Sequence, residues 1–463
     1  MAVTAVTTST AGAINYTHVT DTSADFASIA NSTYFYNKAD KLVRFKDSTG
    51  AVLEIFSASG GSSGGIFGIA NTSGVYTYYA TLTLAMAAAV SGNVVEMFAN
   101  YTETGATTIT LKSGVTINGN GYTYTLNNSG GTNALTVTNS TSIECSIFNL
   151  NVVRTGGTIG QSSNCTLWIG ASTTGNIYLN DSKFTNLGGN GSAIGIGNSS
   201  TITIYNGYAY ANSDKGSIYF ESGAGARAID CMGISNTGIG IMCYSGGDLY
   251  RCYGYSNTST GIDGSGFSGL GSQYDCTGVS IGGTGFQAGI LAVNCTGRST
   301  SYHGLSCVGT NSRMYSCVGI SVSGRGVNNS GINAVMYNCQ LASSSNVGAL
   351  LQSAGGSLYN CIIQSESSYS VWGWTGSTIY NSIIECNWNN AGGYGILGNA
   401  GITNLIINCV FKLSNATAPY LFNGGTAQAI TMRGNTYRGG AAFNANLTQA
   451  ITTTEDNQGN IYL

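Results

Sequence analysis

The chain has 463 residues, of which 8% are charged, and its formal net charge is −3. That balance excludes a basic footprint for nucleic acid, and no run of eighteen apolar residues offers a helical membrane span. Sixty-eight glycines against a single proline fit a long stack of β-strands, where glycine serves corners and proline would remove a ladder donor.

Residues 1–60 form the first expected unit. Ser32–Tyr36, Lys41–Phe45 and Ala51–Ile55 are strand candidates, joined by Asn37–Asp40 and Asp47–Gly50, both good turn chemistry. They predict a small antiparallel β module that holds much of the chain's basic charge. Ser57–Gly65 is a flexible linker by composition, and residues 61–78 lead from it into the next unit. Met1–Thr4 show no basic segment followed by an apolar core, so no secretory signal is expected. Tyr79–Gly92 reads as a helix: Thr81 or Thr83 can cap it, Ala and Leu fill it, and Gly92 ends it. Strand candidates Asn93–Phe98 and Thr108–Leu111 follow.

A short Ala-rich helix, a strand and then Lys112-Ser113-Gly114-Val115-Thr116-Ile117-Asn118-Gly119-Asn120-Gly121 resemble the start of the pectin-lyase-like right-handed β-helix family. Ile147-Phe148-Asn149-Leu150-Asn151-Val152 resembles that family's corner, where an asparagine turns the chain between flanking hydrophobics. The resemblance covers roughly residues 66–455. It implies that the helix covers the open end of a solenoid, which would otherwise present a bare sheet edge. It leaves activity open, because the fold serves lyases, hydrolases and inert virion spikes alike.

From Ile229 to Phe411 a phrase returns about every twenty-two residues: an aromatic or aliphatic residue, a short polar one, then cysteine. Cysteine stands at 231, 252, 276, 295, 317, 339, 361 and 409. Such a period, in units too small to bury their own apolar face, means a solenoid. Two-residue alternation within each unit means strands. The expected fold is therefore all-β: a right-handed, single-stranded parallel β-helix over residues 79–450 with a short N-terminal helix. It has three strands per coil and about fourteen rungs stacked about 4.8 Å apart, or roughly 65 Å in all. Residues 451–463 read as a closing strand and tail.

Thirteen cysteines form no Cys-x-x-Cys pair, and His18 and His303 are the only histidines, so neither a zinc site nor any cofactor is expected. Parallel stacked cysteines sit slightly too far apart at Cβ for disulfides. The ladder reads as small buried thiols, in keeping with folding in a reducing cytoplasm.

If the corner asparagine behaves as in the family, the residue after it points inward. Cys361 and Ile363 then face the core, and Tyr359 and Ile362 face out. By that parity Met232, Ile234, Tyr253, Tyr255, Val279, Val318, Ile320 and Ile362 crowd one outer surface. Either the parity has slipped by one residue on that strand, or the surface packs against other subunits, a homotrimer being the expected assembly. The tyrosine column Tyr250, Tyr274, Tyr315, Tyr337, Tyr359 and Tyr380 has two readings as well. It is a structural ladder or, with Trp372 and Trp374, an aromatic binding surface for sugar rings.

Cleavage of a polysaccharide needs paired carboxylates or a carboxylate-held metal. Asp181, Asp230 and Asp275 sit at corners, where turning the chain is sufficient employment. Asp248 and Asp263 fall in successive coils and are the weak catalytic candidates; no metal site is visible. Tyr34–Asp47 is similar to small N-terminal modules of bacteriophage appendages. The chain therefore reads as a virion spike or fibre, bound to other virion proteins through residues 1–60 and directed at a host-surface polysaccharide. The rivals are a polysaccharide depolymerase on the same scaffold, and a purely structural capsid or tail decoration or a cell-surface adhesin.

Overall fold

The computed structural model describes residues 65–387 apart from twelve short segments, the longest being 157–163 and 264–270. Outside that range it describes strands and a few residues beside them. The chain divides into two compact units, residues 1–99 and 100–463.

In the first unit, β1 (Thr4–Ala5), β2 (Tyr16–Val19), β3 (Thr33–Asn37), β4 (Leu42–Lys46) and β5 (Val52–Ser57) form a five-stranded sheet in chain order. The three expected strands are present, each starting one residue later than anticipated. Pairing is antiparallel except between β2 and β3, which run parallel. A second group holds β6 (Phe67–Ala70), β7 (Tyr76–Tyr79), α1 (Leu82–Ala88) and β8 (Val94–Met97), with β6 antiparallel to both β7 and β8. Thr81 caps α1, its hydroxyl accepting from Leu84 N at 3.2 Å, which satisfies one of the helix's orphan donors. Leu82, Ala85 and Met86 are buried, so the helix is held by one apolar stripe.

The second unit is a right-handed parallel β-solenoid with three sheets. One coil shows the plan: Ala349–Leu351 in sheet 1, Ser357–Tyr359 in sheet 2 and Ile362–Ser365 in sheet 3. The solenoid has about 12 turns. The corner count of about fourteen is slightly larger, because two further strand triplets after Tyr394 continue the ladders. Register holds from coil to coil. Val293, Tyr315, Tyr337, Tyr359 and Tyr380 stand above one another in sheet 2. Gly254, Gly278, Gly297 and Gly319 do so in sheet 3.

The corner between sheets 2 and 3 explains the repeating phrase. Asp230, Arg251, Asp275, Asn294, Ser316, Asn338, Asn360, Asn381 and Asn408 all adopt φ between 50° and 57°. That left-handed region admits Asn and Asp most readily after glycine. The turn then aims the next residue inward. Cys361 and Ile363 are buried while Ile362 is 37% exposed, so the inward–outward assignment holds and the slipped-strand alternative falls away. All thirteen cysteines are free and buried. Burial pushes the Cys145 thiol up to about 12 and that of Cys409 to about 11, as expected of thiols serving as core atoms.

A serine column ends sheet 3. The Ser343 hydroxyl donates to Gly324 O of the preceding coil at 2.6 Å and accepts from Asn346 N at 2.9 Å. Ser256, Ser299 and Ser365 donate to the coil below in the same way. Ser343→Ala leaves the half-buried Asn346 N–H and the buried Gly324 carbonyl without that partner, a cost of about 1–3 kcal/mol. The expected result is a lower unfolding midpoint than wild type, with the exposed neighbour Ser344→Ala close to wild type.

Candidate functional site

The tyrosine column turns out to be closed on itself. Tyr315 and Tyr337 lie 5.1 Å apart between centroids at 5°, Tyr337 and Tyr359 4.9 Å at 17°, and Tyr250 and Tyr274 5.0 Å at 7°. Only the Tyr359–Tyr380 step tilts, at 54°. A sugar ring needs a free aromatic face, and rings stacked coil upon coil cover one another's faces. The column's geometry is that of a structural ladder, in which each ring buries area against the next. Trp372 lies elsewhere, in the sheet 1 strand Val371–Gly373 with Tyr369 against it at 6.2 Å. Trp374 lies outside the described residues.

The two acids singled out in the sequence lie in different sheets. Asp248 is in sheet 2, where Ser272 N donates to it at 3.0 Å and Arg227 stands 3.8 Å away. Asp263 is in sheet 1, accepting from Gln287 Nε2 at 3.1 Å. Successive coils place them on either side of a corner, in different ladders and with different partners. Among the described residues no group of three His, Cys, Asp or Glu is placed to hold a metal ion. No described helix is long and apolar enough to cross a membrane.

An open cavity of about 520 Å³ does form at the sheet 2–sheet 3 corner, lined by Asp181, Ser182, Lys183, Asn206, Tyr208 and Asp230. Its polar wall is the corner column itself: Asp181, Asn206 and Asp230 are all left-handed residues, so their short side chains project outward from consecutive coils. Its other wall is the first outward position of sheet 3, where Lys183 pairs in register with Tyr208 and Tyr208 with Met232. The Lys183 ammonium sits 5.1 Å from the Tyr208 ring centroid, a cation–π contact. Asn206 Nδ2 donates to Asn180 Oδ1. Asp230 is gripped by Arg251, whose Nε and Nη2 donate to its two carboxylate oxygens at 2.7 and 2.8 Å. That bidentate bond holds the Asp230 carboxyl below the usual carboxylate range.

From Tyr208 the outer face of sheet 3 continues as an aromatic strip. Tyr208 and Tyr210 stand in register with Met232 and Ile234, and these with Tyr253 and Tyr255. The hydroxyls at its edge are fixed: Asn236 Nδ2 donates to Tyr210 Oη at 2.7 Å, and Tyr255 Oη donates to Asn257 Oδ1 at 2.6 Å. The cavity thus opens beside aromatic rings and an asparagine ladder. Asp181, Asn206 and Asp230 are legible in the sequence as corner residues, but Lys183 and Tyr208 are not. Aligning the coils on their corner residue is the signal that finds them.

No family model matches the chain, and no curated protein does. Among solved structures, the A-module of mannuronan C-5 epimerase AlgE6 from Azotobacter vinelandii aligns over 82% of this chain and 93% of its own, at 12% identity and a TM-score of 0.27. The receptor-binding protein of bacteriophage Det7, a podoviral tailspike in a myovirus, aligns over 81% of this chain and 74% of its own, at 12% identity and a TM-score of 0.26. Tailspike protein 3 of bacteriophage CBA120 aligns over 80% and 55%, at 9% identity and a TM-score of 0.28. Scores of this size carry no argument about this chain; its architecture rests on its own ladders.

Proposed function

We propose that the chain is a virion appendage of the spike or fibre type whose solenoid binds a cell-surface glycan in the corner cavity. The observation that carries this reading is the cavity's lining: carboxylates, an amide and an ammonium beside a tyrosine, at the end of an aromatic strip. Glycans are held by such combinations, since their hydroxyls exchange hydrogen bonds with fixed polar groups while their C–H edges pack on the side chains alongside. The similarity of Tyr34–Asp47 to small phage-appendage modules supports residues 1–60 as the segment that holds the chain to the particle.

Purified protein is expected to bind intact host cells, and periodate oxidation of the cell-surface sugars to abolish that binding. Tyr208→Ala and Lys183→Ala should each weaken it by about tenfold, the size of one good polar or aromatic contact. Undiminished binding to oxidised cells would overturn the reading. The appearance of new reducing ends or unsaturated products would move it to a depolymerase, and binding to no glycan at all to a purely structural part.

A further inference from the structure

Arg251 is the exception in the corner column. Its neighbours there are Asp230, Asp275, Asn294, Ser316, Asn338, Asn360 and Asn381, all short polar residues suited to a left-handed backbone. Arg251 holds φ 51° with a long side chain that gains nothing from that conformation. Residues kept in sparsely populated backbone regions are held there by the structure around them, and such outliers gather at functional sites. On the exposed surface the guanidinium folds back one coil and donates to both oxygens of Asp230 at 2.7 and 2.8 Å. Asp230 lines the cavity and Arg251 does not.

We propose that Arg251 is a positioning residue of the cavity, fixing Asp230 as a rigid acceptor for the hydroxyls of an uncharged sugar. This rests on the glycan-binding reading and names the class of glycan. Two carboxylates, Asp181 and Asp230, face a single ammonium, Lys183, in the lining. Arg251 spends its Nε donor and one at Nη2 on Asp230. What remains for a ligand is mainly acceptor capacity, which suits adjacent sugar hydroxyls. Lys183 and the Arg251 guanidinium together balance these two carboxylates, so the site has no net positive charge to draw the carboxylate of a uronate or sialate. A bidentate clamp also removes the freedom that Asp230 would otherwise lose on binding.

The test uses the full chain, Arg251→Asn, and two sets of probes: neutral polysaccharides (dextran, mannan, a galactan) and anionic ones (alginate, polygalacturonate, polysialic acid). Asn is the residue the corner accepts best, so the variant is expected to keep or raise the thermal midpoint. Wild type should bind a neutral probe at least tenfold more tightly than any anionic one, and Arg251→Asn should lose about tenfold of that affinity. A merely structural arginine would lower the midpoint and leave affinity alone. Equal affinity in wild type and Arg251→Asn overturns the positioning role, and tighter binding of an anionic probe overturns the class of sugar; both leave glycan binding itself standing. Binding of no probe by wild type, with intact cells also unbound, removes the functional reading and this inference with it.

Discussion

Gly278→Ala is expected to destabilise the solenoid by about 4 kcal/mol or more, although adding a methyl group to a strand glycine ordinarily helps. An alanine in a strand is favoured by roughly 0.5–1 kcal/mol through backbone entropy, so the sign of the effect is the test. Gly278 points inward from sheet 3, and a Cβ there would lie 2.1 Å from the backbone oxygen of Gly285 and 3.1 Å from Ile262 N. No rotamer escapes this, because the obstacle is main chain. That oxygen also accepts from Ile262 N at 3.1 Å, so moving it breaks the ladder of sheet 1. The same approach recurs at Gly254, Gly297 and Gly319, where a Cβ would meet the oxygens of Gly261, Gly304 and Gly326 at 2.2, 2.1 and 2.4 Å. One displaced coil therefore pushes on its neighbours, and in a stacked array the damage spreads by nearest-neighbour contact. Gly225→Ala, whose new atom would meet only the Thr201 methyl at 3.5 Å, should stay within about 0.5 kcal/mol of wild type. Thermal midpoint, soluble yield and protease resistance should fall together for Gly278→Ala. A midpoint at or above that of wild type would mean that the sheets are not pressed together at this column.

The glycine column shows which parts of the fold a sequence exposes. The glycine two after Cys231, Cys252, Cys276, Cys295 and Cys317 is readable, because it repeats at a fixed offset from a corner whose left-handed backbone admits few residue types. Its partners at Gly240, Gly261, Gly285, Gly304, Gly326 and Gly348 keep an equally fixed offset, nine residues after the cysteine, but nothing in that spacing says that the two columns press on each other across the coil. The second left-handed corner, just ahead of sheet 2, was hidden for a different reason: Ser172, Ser199, Asn311, Asn333, Gly355 and Gly376 share φ between 55° and 77° but no letter. The parallel pairing of β2 with β3 follows a connection, 20–32, whose sequence does not tell a crossover from a hairpin turn. At the candidate site the limit was three-dimensional. Asp181 and Asp230 were read as corner residues, which they are, but corner geometry also projects them into a cavity whose other wall belongs to sheet 3. Conversely, the tyrosine repeat advertised an aromatic surface, and the regularity that made it conspicuous is what stacks the rings and closes their faces.

Acidification from pH 7 to pH 4 is expected to remove about 3 kcal/mol of stability through His303 alone. His303 lies in the turn from sheet 3 to sheet 1, is 5% exposed, and packs against the Tyr302 ring at 3.9 Å between centroids. Its Nδ1 has no hydrogen-bond partner among the described residues, and its backbone oxygen accepts from Gly285 N at 2.8 Å, which ties the turn into the crowded glycine column. Burial, with a further contribution from the Arg325 guanidinium, lowers the imidazole to about 4 from its ordinary 6.5. The unfolded chain therefore takes up this proton first as the pH falls. Stability is complete above about pH 6.5, declines with one proton's slope down to about pH 4, and is flat for this group below that. Asp230 and Glu385, held below the ordinary carboxylate range by Arg251 and by Lys412, lose their contributions only below about pH 4.5. The interval between pH 6.5 and 4.5 thus belongs to histidine, and the chain has two. His303→Gln keeps a polar side chain of similar reach without the titration. Denaturant midpoints measured every half unit should show the wild-type decline across that interval and a much flatter line for the variant. Parallel lines for the two proteins would mean that His303 binds its proton as readily folded as unfolded, and that the turn around it is open to water.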